Sequence, residues 1–211
     1  MFDINIHVKK ERAIAMHLSE KLKVISGIFG LRLGEEPEYY LIRSNGEKEI
    51  RKYSKLTLAT ISVPFNENPQ AAETKAYQVL SRYLLGKNDS SEHIEMTASM
   101  LREITNLDDG DGFLTMSFIL PNKFSLKNAP QPNDRRIKLH QKDAQMVACR
   151  SFNGPTDDKK VQQYTTELRE WLGQYSSYRA ESNVKLAVCN RPQTLPFLRK
   201  NEIHIDVRTV N

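Results

Sequence analysis

Apolar residues recur at helical spacing near the start of the chain. They follow one another at intervals of four, four, three and four residues: Ile14, Leu18, Leu22, Ile25 and Phe29. This spacing places them on one stripe of an amphipathic helix, and Gly27 and Gly30 mark its end. The pattern predicts an N-terminal helical extension over residues 1–34. Such a helix packs on the core of its own protein or, alternatively, binds a membrane surface or a protein partner.

Two longer amphipathic helices and a series of strands are predicted in the rest of the chain. The helices cover about residues 69–85 and 156–172; Pro69 suits a first helical turn, and Gly86 suits the position just past the end. Asn45-Gly46 is a strong hairpin signal because both residues tolerate positive φ. From alternation and short apolar runs, strands are predicted at residues 39–43, 49–53, 56–63, 94–100, 113–120, 136–140, 145–152, 184–189 and 202–208.

The second half of the chain repeats the element order of the first half. A shift of 87 residues superposes several identical residues: Phe65-Asn66 on Phe152-Asn153, Tyr77 on Tyr164, Arg82 on Arg169, and Leu85-Gly86 on Leu172-Gly173. The common offset predicts a duplicated strand-helix-strand unit, with pseudo-repeats at about residues 35–121 and 136–208. The fold class that follows is α+β, with two long helices covering a sheet built from both halves. The crevice between the helices and the sheet is then the natural ligand site.

The charge balance narrows the classes of partner. The 211 residues carry 31 Lys and Arg against 26 Asp and Glu, a formal net charge of +5. Because the excess is modest and spread along the chain, no nucleic-acid partner is expected. The densest basic cluster, residues 135–142, alternates like a half-buried strand with a solvated face, and contact with an anionic ligand or nucleic acid is the alternative. With no apolar run long enough to cross a bilayer and only two cysteines, Cys149 and Cys189, we expect a cytoplasmic protein.

No familiar catalytic or metal-binding signature occurs in the sequence. It lacks the Gly-x-Ser-x-Gly nucleophile elbow, the phosphate-binding loop and the His-Glu-x-x-His motif. The acidic turn at residues 108–112 has the wrong spacing of oxygen donors for a calcium loop. Any histidine could ligate iron or act as a base, but the five are scattered and each alone is typical of a surface or core position: His7, His17, His93, His140 and His204. We therefore expect no enzyme.

Eight short motifs follow one another in order over roughly residues 35–208. They are EPEY at 36–39, EIRKY at 49–53, YLLGKN at 83–88, MTA at 96–98, FILP at 118–121, PQP at 130–132, RSFNG at 150–154 and RKNEI at 199–203. No single motif is decisive, but the ordered set resembles the SOUL haem-binding family. The fold that this resemblance implies is a duplicated strand-helix unit in a distorted barrel or curved antiparallel-rich sheet with two long helices, related to bacterial effector-binding domains.

The resemblance also implies a function. Members of the family bind haem or another tetrapyrrole non-covalently, with no catalysis generally established. Residues 35–211 would form such a domain behind the N-terminal extension, and buffering, transport or sensing of the tetrapyrrole in a hydrophobic crevice is the role expected. The alternative is a module of the effector-binding type, which takes another hydrophobic ligand or recruits a protein or a membrane through its N-terminal helix.

A haem site is expected around the first long helix. By resemblance, the porphyrin would lie on that helix and the propionates would meet nearby cations, which gives six candidate residues: Lys52, Tyr77, Leu80, Ser81, Arg82 and Leu84. Lys52 stands where some members have a histidine proposed as axial ligand, and a protonated lysine cannot ligate iron. The usual Met-Thr-x-Pro-Val string reads Met-Thr-Ala-Ser-Met at residues 96–100. The iron ligand is therefore not indicated by the sequence.

Overall fold

The computed structural model describes residues 35–97, 99–107, 110–181, 184–189 and 194–210. The predicted N-terminal helix and its extension, residues 1–34, lie outside these ranges. The described chain forms two helices, α1 (Pro69–Leu84) and α2 (Asp158–Gly173), and a 3-10 turn at Pro196–Leu198. Ten strands complete it: β1 (Tyr39–Asn45), β2 (Lys48–Tyr53), β3 (Leu56–Asn66), β4 (Met100–Asn106), β5 (Asp111–Ile119), β6 (Lys138–Lys142), β7 (Gln145–Asn153), β8 (Tyr178–Ala180), β9 (Lys185–Val188) and β10 (Lys200–Thr209).

All ten strands belong to one antiparallel sheet. Nine follow one another in the order β1-β2-β7-β10-β9-β4-β5-β3-β6, and β8 pairs with β10 beside this path. Four strands separate β6 from β10 in this order, yet Lys142 Nζ on β6 lies 2.9 Å from Asp206 Oδ2 on β10. The sheet is therefore curled into a half-barrel, and this ion pair lies on its concave face.

The predicted α+β class, with a curved antiparallel sheet and two long helices, is confirmed. The two halves of the sheet have the same arrangement, β2-β7-β10-β9 in one and β6-β3-β5-β4 in the other. In each half the strand that precedes a helix lies second, β7 before α2 and β3 before α1. This order agrees with a repeated unit, but the duplication and its boundaries stay predictions, as does the division into an extension and a domain.

Both helices begin at a side-chain cap. The Asn68 side chain accepts a hydrogen bond from the backbone N–H of Gln70, and Pro69 occupies the first turn, where its missing N–H costs nothing. At the start of α2, the Asp157 side chain accepts a hydrogen bond of 2.9 Å from the backbone N–H of Lys160. The predicted helix boundaries agree with these ends to within two residues.

Each helix packs on the convex face of its own half of the sheet. The core beneath α1 is formed by Leu80, Tyr83 and Leu84 with residues of β3 and β5, among them Ala59, Ile61, Leu114, Met116 and Phe118. The core beneath α2 is formed by Leu168, Trp171 and Leu172 with residues of β7 and β10, among them Ala148, Phe152, Ile203 and Ile205. Neither of these two helices is long and apolar enough to cross a bilayer.

The strand predicted at residues 94–100 is wrong in position, because the strand in this region is Met100–Asn106. The preceding segment runs past the end of α1 and is held by single hydrogen bonds. The Ile94 N–H donates to the Leu84 carbonyl (2.8 Å), and the Thr97 hydroxyl donates to the Ile119 carbonyl (2.6 Å). Ile94 is thus buried against the core without belonging to a strand, which an apolar pattern alone does not reveal.

Candidate functional site

Strand β10 divides its side chains between the two faces of the sheet. Ile203 and Ile205 lie in the core beneath α2, so Glu202, His204 and Asp206 at the alternating positions face the concave side. Strands β2 and β7, which are next in the sheet, bring further polar groups to this face. Together they form a buried group that we call the concave cluster: Glu49, Arg51, Tyr53, Cys149, Ser151, Glu202 and His204.

Arg51 and Glu202 form the centre of the concave cluster. Arg51 donates from Nη1 to Glu202 Oε2 (2.8 Å) and from Nη2 to Oε1 (3.1 Å), and the two side chains are only 7% and 6% exposed. Arg51 Nε donates to Glu49 (2.6 Å), and Nη1 also donates to the Tyr53 hydroxyl (3.1 Å). Glu202 Oε2 lies 2.8 Å from His204 Nε2. Because these groups are screened from water, the charge-assisted bonds are strong and the loss of one partner is costly.

Tyr39 and Cys149 both adjoin this centre. The Arg51 guanidinium lies over the Tyr39 ring, 4.5 Å from its centroid, and the Tyr39 ring is 5.4 Å from that of Tyr53. Cys149 is directly opposite His204 in the pairing of β7 with β10. Both Cys149 and His204 are buried, so they lie away from solvent beside the Arg51–Glu202 pair.

Burial and charge together set the protonation of the concave cluster. Burial alone would raise the pKa of Glu202, but the hydrogen bonds and charges of His204 and Arg51 hold it far below its usual range. Burial alone would lower the pKa of His204, but Cys149 and Glu202 raise it above its usual range. At neutral pH the Glu202 carboxylate is therefore paired with two cations, the Arg51 guanidinium and the His204 imidazolium.

A cavity of about 320 Å³ opens on the concave face beside this cluster. Within it, Asp206 Oδ2 lies 2.9 Å from Lys142 Nζ and 2.7 Å from Lys185 Nζ. Burial alone would raise the pKa of Asp206, but the two lysines lower it, whereas burial lowers the pKa of Lys142. The cavity is lined by Leu58, Thr60, Leu101, Glu103, Thr115, Ser117, His140, Lys142, Lys185 and Asp206. Its volume suits a small molecule that carries both apolar and charged groups.

The structure separates the six residues predicted to hold haem. Leu80 and Leu84 are 0% and 4% exposed and pack into the core beneath α1. Lys52 is exposed on β2, and four strands separate β2 from β5, on which α1 packs. The other three residues share the side of α1 that the sheet does not cover completely. Arg82 is exposed there, and Tyr77 and Ser81 are partly buried.

A surface that we call the α1 flank is formed by Tyr77, Ser81, Arg82, Leu85 and His93. Tyr77, Ser81 and Leu85 recur every four residues, so they lie on one side of α1 and its C-terminal cap. Leu85 is 66% exposed and pairs in an isolated antiparallel bridge with His93, which is also exposed. Ser81 Oγ is buried and has no hydrogen-bond partner among the described residues. The flank therefore combines apolar area, one cation, one imidazole and one unsatisfied hydroxyl.

Asn88 holds the loop that carries His93 against the end of α1. Its side-chain amide donates to the carbonyls of Tyr83 (3.2 Å) and Glu92 (2.8 Å), and its oxygen accepts from the Glu92 N–H (3.0 Å). Asn88 is buried, so these bonds are made away from water. The position of His93 beside Leu85 thus depends on a buried amide that bridges the helix end and the loop.

The order of the motifs, the two helices and the half-barrel agree with one family. A family model described as SOUL heme-binding protein matches residues 34–206. The chain belongs to the SOUL family. No curated protein sequence matches the chain.

Solved structures that share this SOUL fold are distant in sequence. The EcmrR C-terminal domain superposes with a TM-score of 0.58 at 10% identity, over 82% of this chain and 99% of that one. EcmrR in a complex with DNA gives 0.57 at 10% identity, over 98% of this chain and 70% of that one. A hydrolase from Listeria innocua gives 0.54 at 12% identity, over 79% and 94%. At these identities the likeness concerns the fold alone.

Reasoning from the sequence missed the concave cluster of this SOUL protein. It singled out Lys52, whereas the neighbouring Arg51 points to the other face and is the buried cation. A usable signal was present in β10, where the ionisable residues Glu202, His204 and Asp206 alternate with the apolar residues Ile203, Ile205 and Val207. Charged residues at the inward positions of strands indicate a paired cluster, because an unpaired buried charge is too costly.

Proposed function

We propose that this chain is a cytoplasmic, non-catalytic protein of the SOUL family that binds haem or another tetrapyrrole for buffering, transport or sensing. The observation that carries the proposal is the family match over residues 34–206. Two features support it. The first is that Cys149 and Cys189 are not joined in a disulfide, as expected in a reducing compartment. The second is the side of α1 that the sheet leaves uncovered, which combines exposed apolar area with a cation and a histidine.

The α1 flank offers the groups that a haem requires. Tyr77 and Leu85 would contact an apolar face of the macrocycle, and Arg82 would pair with a propionate. His93 would offer an imidazole nitrogen to the iron, a ligand type that haem proteins use widely. When bound, haem supplies a metal centre and a visible absorption band by which binding is followed.

Three of the six predicted haem-site residues do not contact the ligand at the α1 flank in this proposal: Leu80, Leu84 and Lys52. The two leucines support the flank from beneath as core residues and need not contact the ligand. Lys52 remains a candidate for a propionate only if the ligand reaches the other half of the sheet. A variant of Lys52 therefore tests the extent of the predicted site separately from the flank.

Haemin titration of the purified protein tests the proposal. The unmodified chain should give a saturable shift of the Soret band at one haem per chain. His93→Ala should change the spectrum of the complex and weaken binding, and Arg82→Glu should weaken binding without the same spectral change. The matched control is His140→Ala, which removes an exposed histidine that lines the concave cavity and should leave the titration unchanged. Lys52→Ala should also have no effect.

Each result of the haemin titration tests a different part of the proposal: tetrapyrrole binding, iron ligation by His93, or the position of the ligand. A response without stoichiometry in the unmodified chain contradicts tetrapyrrole binding. An unchanged spectrum in His93→Ala contradicts iron ligation at the flank even if haem binds. Loss of affinity in His140→Ala would instead place the ligand in the concave cavity.

The concave cavity favours a second candidate function, the binding of a small non-haem ligand by a module of the effector-binding type. The specific observation is the 320 Å³ cavity on a fold shared with the EcmrR C-terminal domain. A native mass spectrum of the protein purified from its own source distinguishes the two functions. A bound mass equal to a tetrapyrrole supports the first, and a smaller polar compound supports the second. The idea that the N-terminal helix recruits a partner rests on residues outside the described chain.

A further inference from the structure

Three potential metal ligands meet within the concave cluster. Cys149 on β7 is directly opposite His204 on β10, and Glu202 is two residues from His204 on the same face. The thiol, a ring nitrogen and a carboxylate oxygen lie within 4.8 Å of one another. Among the described residues this is the one group of at least three such side chains, and all three are buried. We propose that Cys149, Glu202 and His204 bind a divalent metal ion, with Zn²⁺ as the ion that suits them best.

The ligand chemistry favours zinc. A thiolate, an imidazole and a carboxylate are the three ligand types of protein zinc sites, and three protein ligands leave a fourth position for water. Metal–ligand bonds of about 2.0–2.3 Å at tetrahedral angles place ligand atoms roughly 3.5 Å apart. His204 Nε2 and Glu202 Oε2 are now 2.8 Å apart and the whole group spans no more than 4.8 Å. The three ligand atoms therefore need to shift by only about 1 Å to reach the spacing of a metal site.

The surrounding residues already form an outer shell for such an ion. Glu202 Oε1 accepts hydrogen bonds from Arg51 Nη2 (3.1 Å) and from the Ser151 hydroxyl (3.1 Å), so these two donors fix the plane of the carboxylate whose Oε2 lies beside His204. Arg51 keeps its bond to Glu49 at 2.6 Å. Hydrogen bonds of this kind orient the ligating carboxylates of metal sites and raise their affinity.

Cobalt provides the probe, because Co²⁺ occupies zinc sites and reports a thiolate ligand by its absorption. Chelator-treated, haem-free protein should bind one equivalent of Co²⁺ with a sulfur-to-cobalt charge-transfer band, and Zn²⁺ should displace it. Cys149→Ser should lose that band and weaken Zn²⁺ binding by more than the about 10–100-fold that an outer-shell change costs. The matched control is Cys189→Ser, since Cys189 is the other buried cysteine and lies outside the group.

The result in the unmodified chain decides the proposal. Absence of the charge-transfer band, or a band that survives in Cys149→Ser, overturns it. His204→Gln provides an independent variant, because glutamine can still donate to Glu202 but cannot replace imidazole as a ligand, and it should weaken Zn²⁺ binding similarly. Circular dichroism of each variant confirms that it is folded. Haem binding at the α1 flank is not involved, so either proposal can fail without the other.

Discussion

Arg51 is the residue whose loss should most disturb the concave face. Its side chain makes four hydrogen bonds, two to Glu202, one to Glu49 and one to Tyr53, at 2.6–3.1 Å. Arg51→Met keeps much of the side-chain volume but leaves two carboxylates facing one imidazolium in a buried place. Removing one partner of a buried ion pair costs about 3–5 kcal/mol. For a chain of this size, that loss lowers Tm by about 6–20 °C.

Urea denaturation followed by circular dichroism measures this loss as a fall in the free energy of unfolding. The m-value should stay unchanged if only the folded state is affected. The control is Arg136→Met, because Arg136 also forms a two-bond pair with an aspartate, Asp134, but on the surface. Surface pairs contribute little, so the control should unfold with almost the same midpoint as the unmodified chain. Equal effects of the two variants would refute the idea that burial gives the Arg51 pair its importance.

The double variant Arg51→Met/Glu202→Leu tests the pairing directly. Each single change leaves the other member of the pair buried without its partner, whereas the double change removes both charges. The double variant should therefore be less destabilised than the sum of the two single variants, by a coupling of at least about 1 kcal/mol. Replacing a buried pair by apolar residues is often close to neutral. Strict additivity would show that the two side chains do not act as a pair.

Three further outcomes follow from the same structure. In metal-free protein, the lowered pKa of Glu202 means that its contribution to stability is present above about pH 4.5 and is lost as the pH falls. The raised pKa of His204 means that its contribution is complete below about pH 6.5 and is lost as the pH rises. Denaturation at a series of pH values measures both changes in the free energy of unfolding, and Glu202→Gln should weaken its dependence on acid pH. Leu80→Ala should lower the free energy of unfolding by about 2–5 kcal/mol in a thermal or urea melt, while Leu85→Ala should change it little and weaken haemin binding. Asn88→Ala should cost about 1–3 kcal/mol and weaken haemin binding, because the loop that carries His93 loses its anchor; hydrogen exchange of residues 86–93 measures the loosening.

Local rules predicted the helices well because their signals are local. Pro69 and Asn68 begin α1 through contacts within three residues, and Gly86 ends it with a φ of 93° that favours glycine. The same periodicity could not assign a role to each position on α1. Helical spacing placed Leu80 and Leu84 on an apolar face, and that face packs on the sheet, whereas Leu85 just beyond it is exposed.

The concave cluster shows why the rest could not be predicted from spacing. Arg51, Cys149 and Glu202 come from three strands that are far apart in the chain, and β2 pairs with β7, which lies in the other half of the sequence, instead of with β3. Alternation indicates which residues share a face within one strand, but strand order decides which strands are neighbours. An arginine at an inward position of a strand therefore predicts a buried acidic partner, but alternation does not identify which residue that partner is. Arg51 lies beside Glu202 only because β2, from the first half of the sequence, pairs with β7, which in turn pairs with β10. This order of strands follows from packing of the whole sheet.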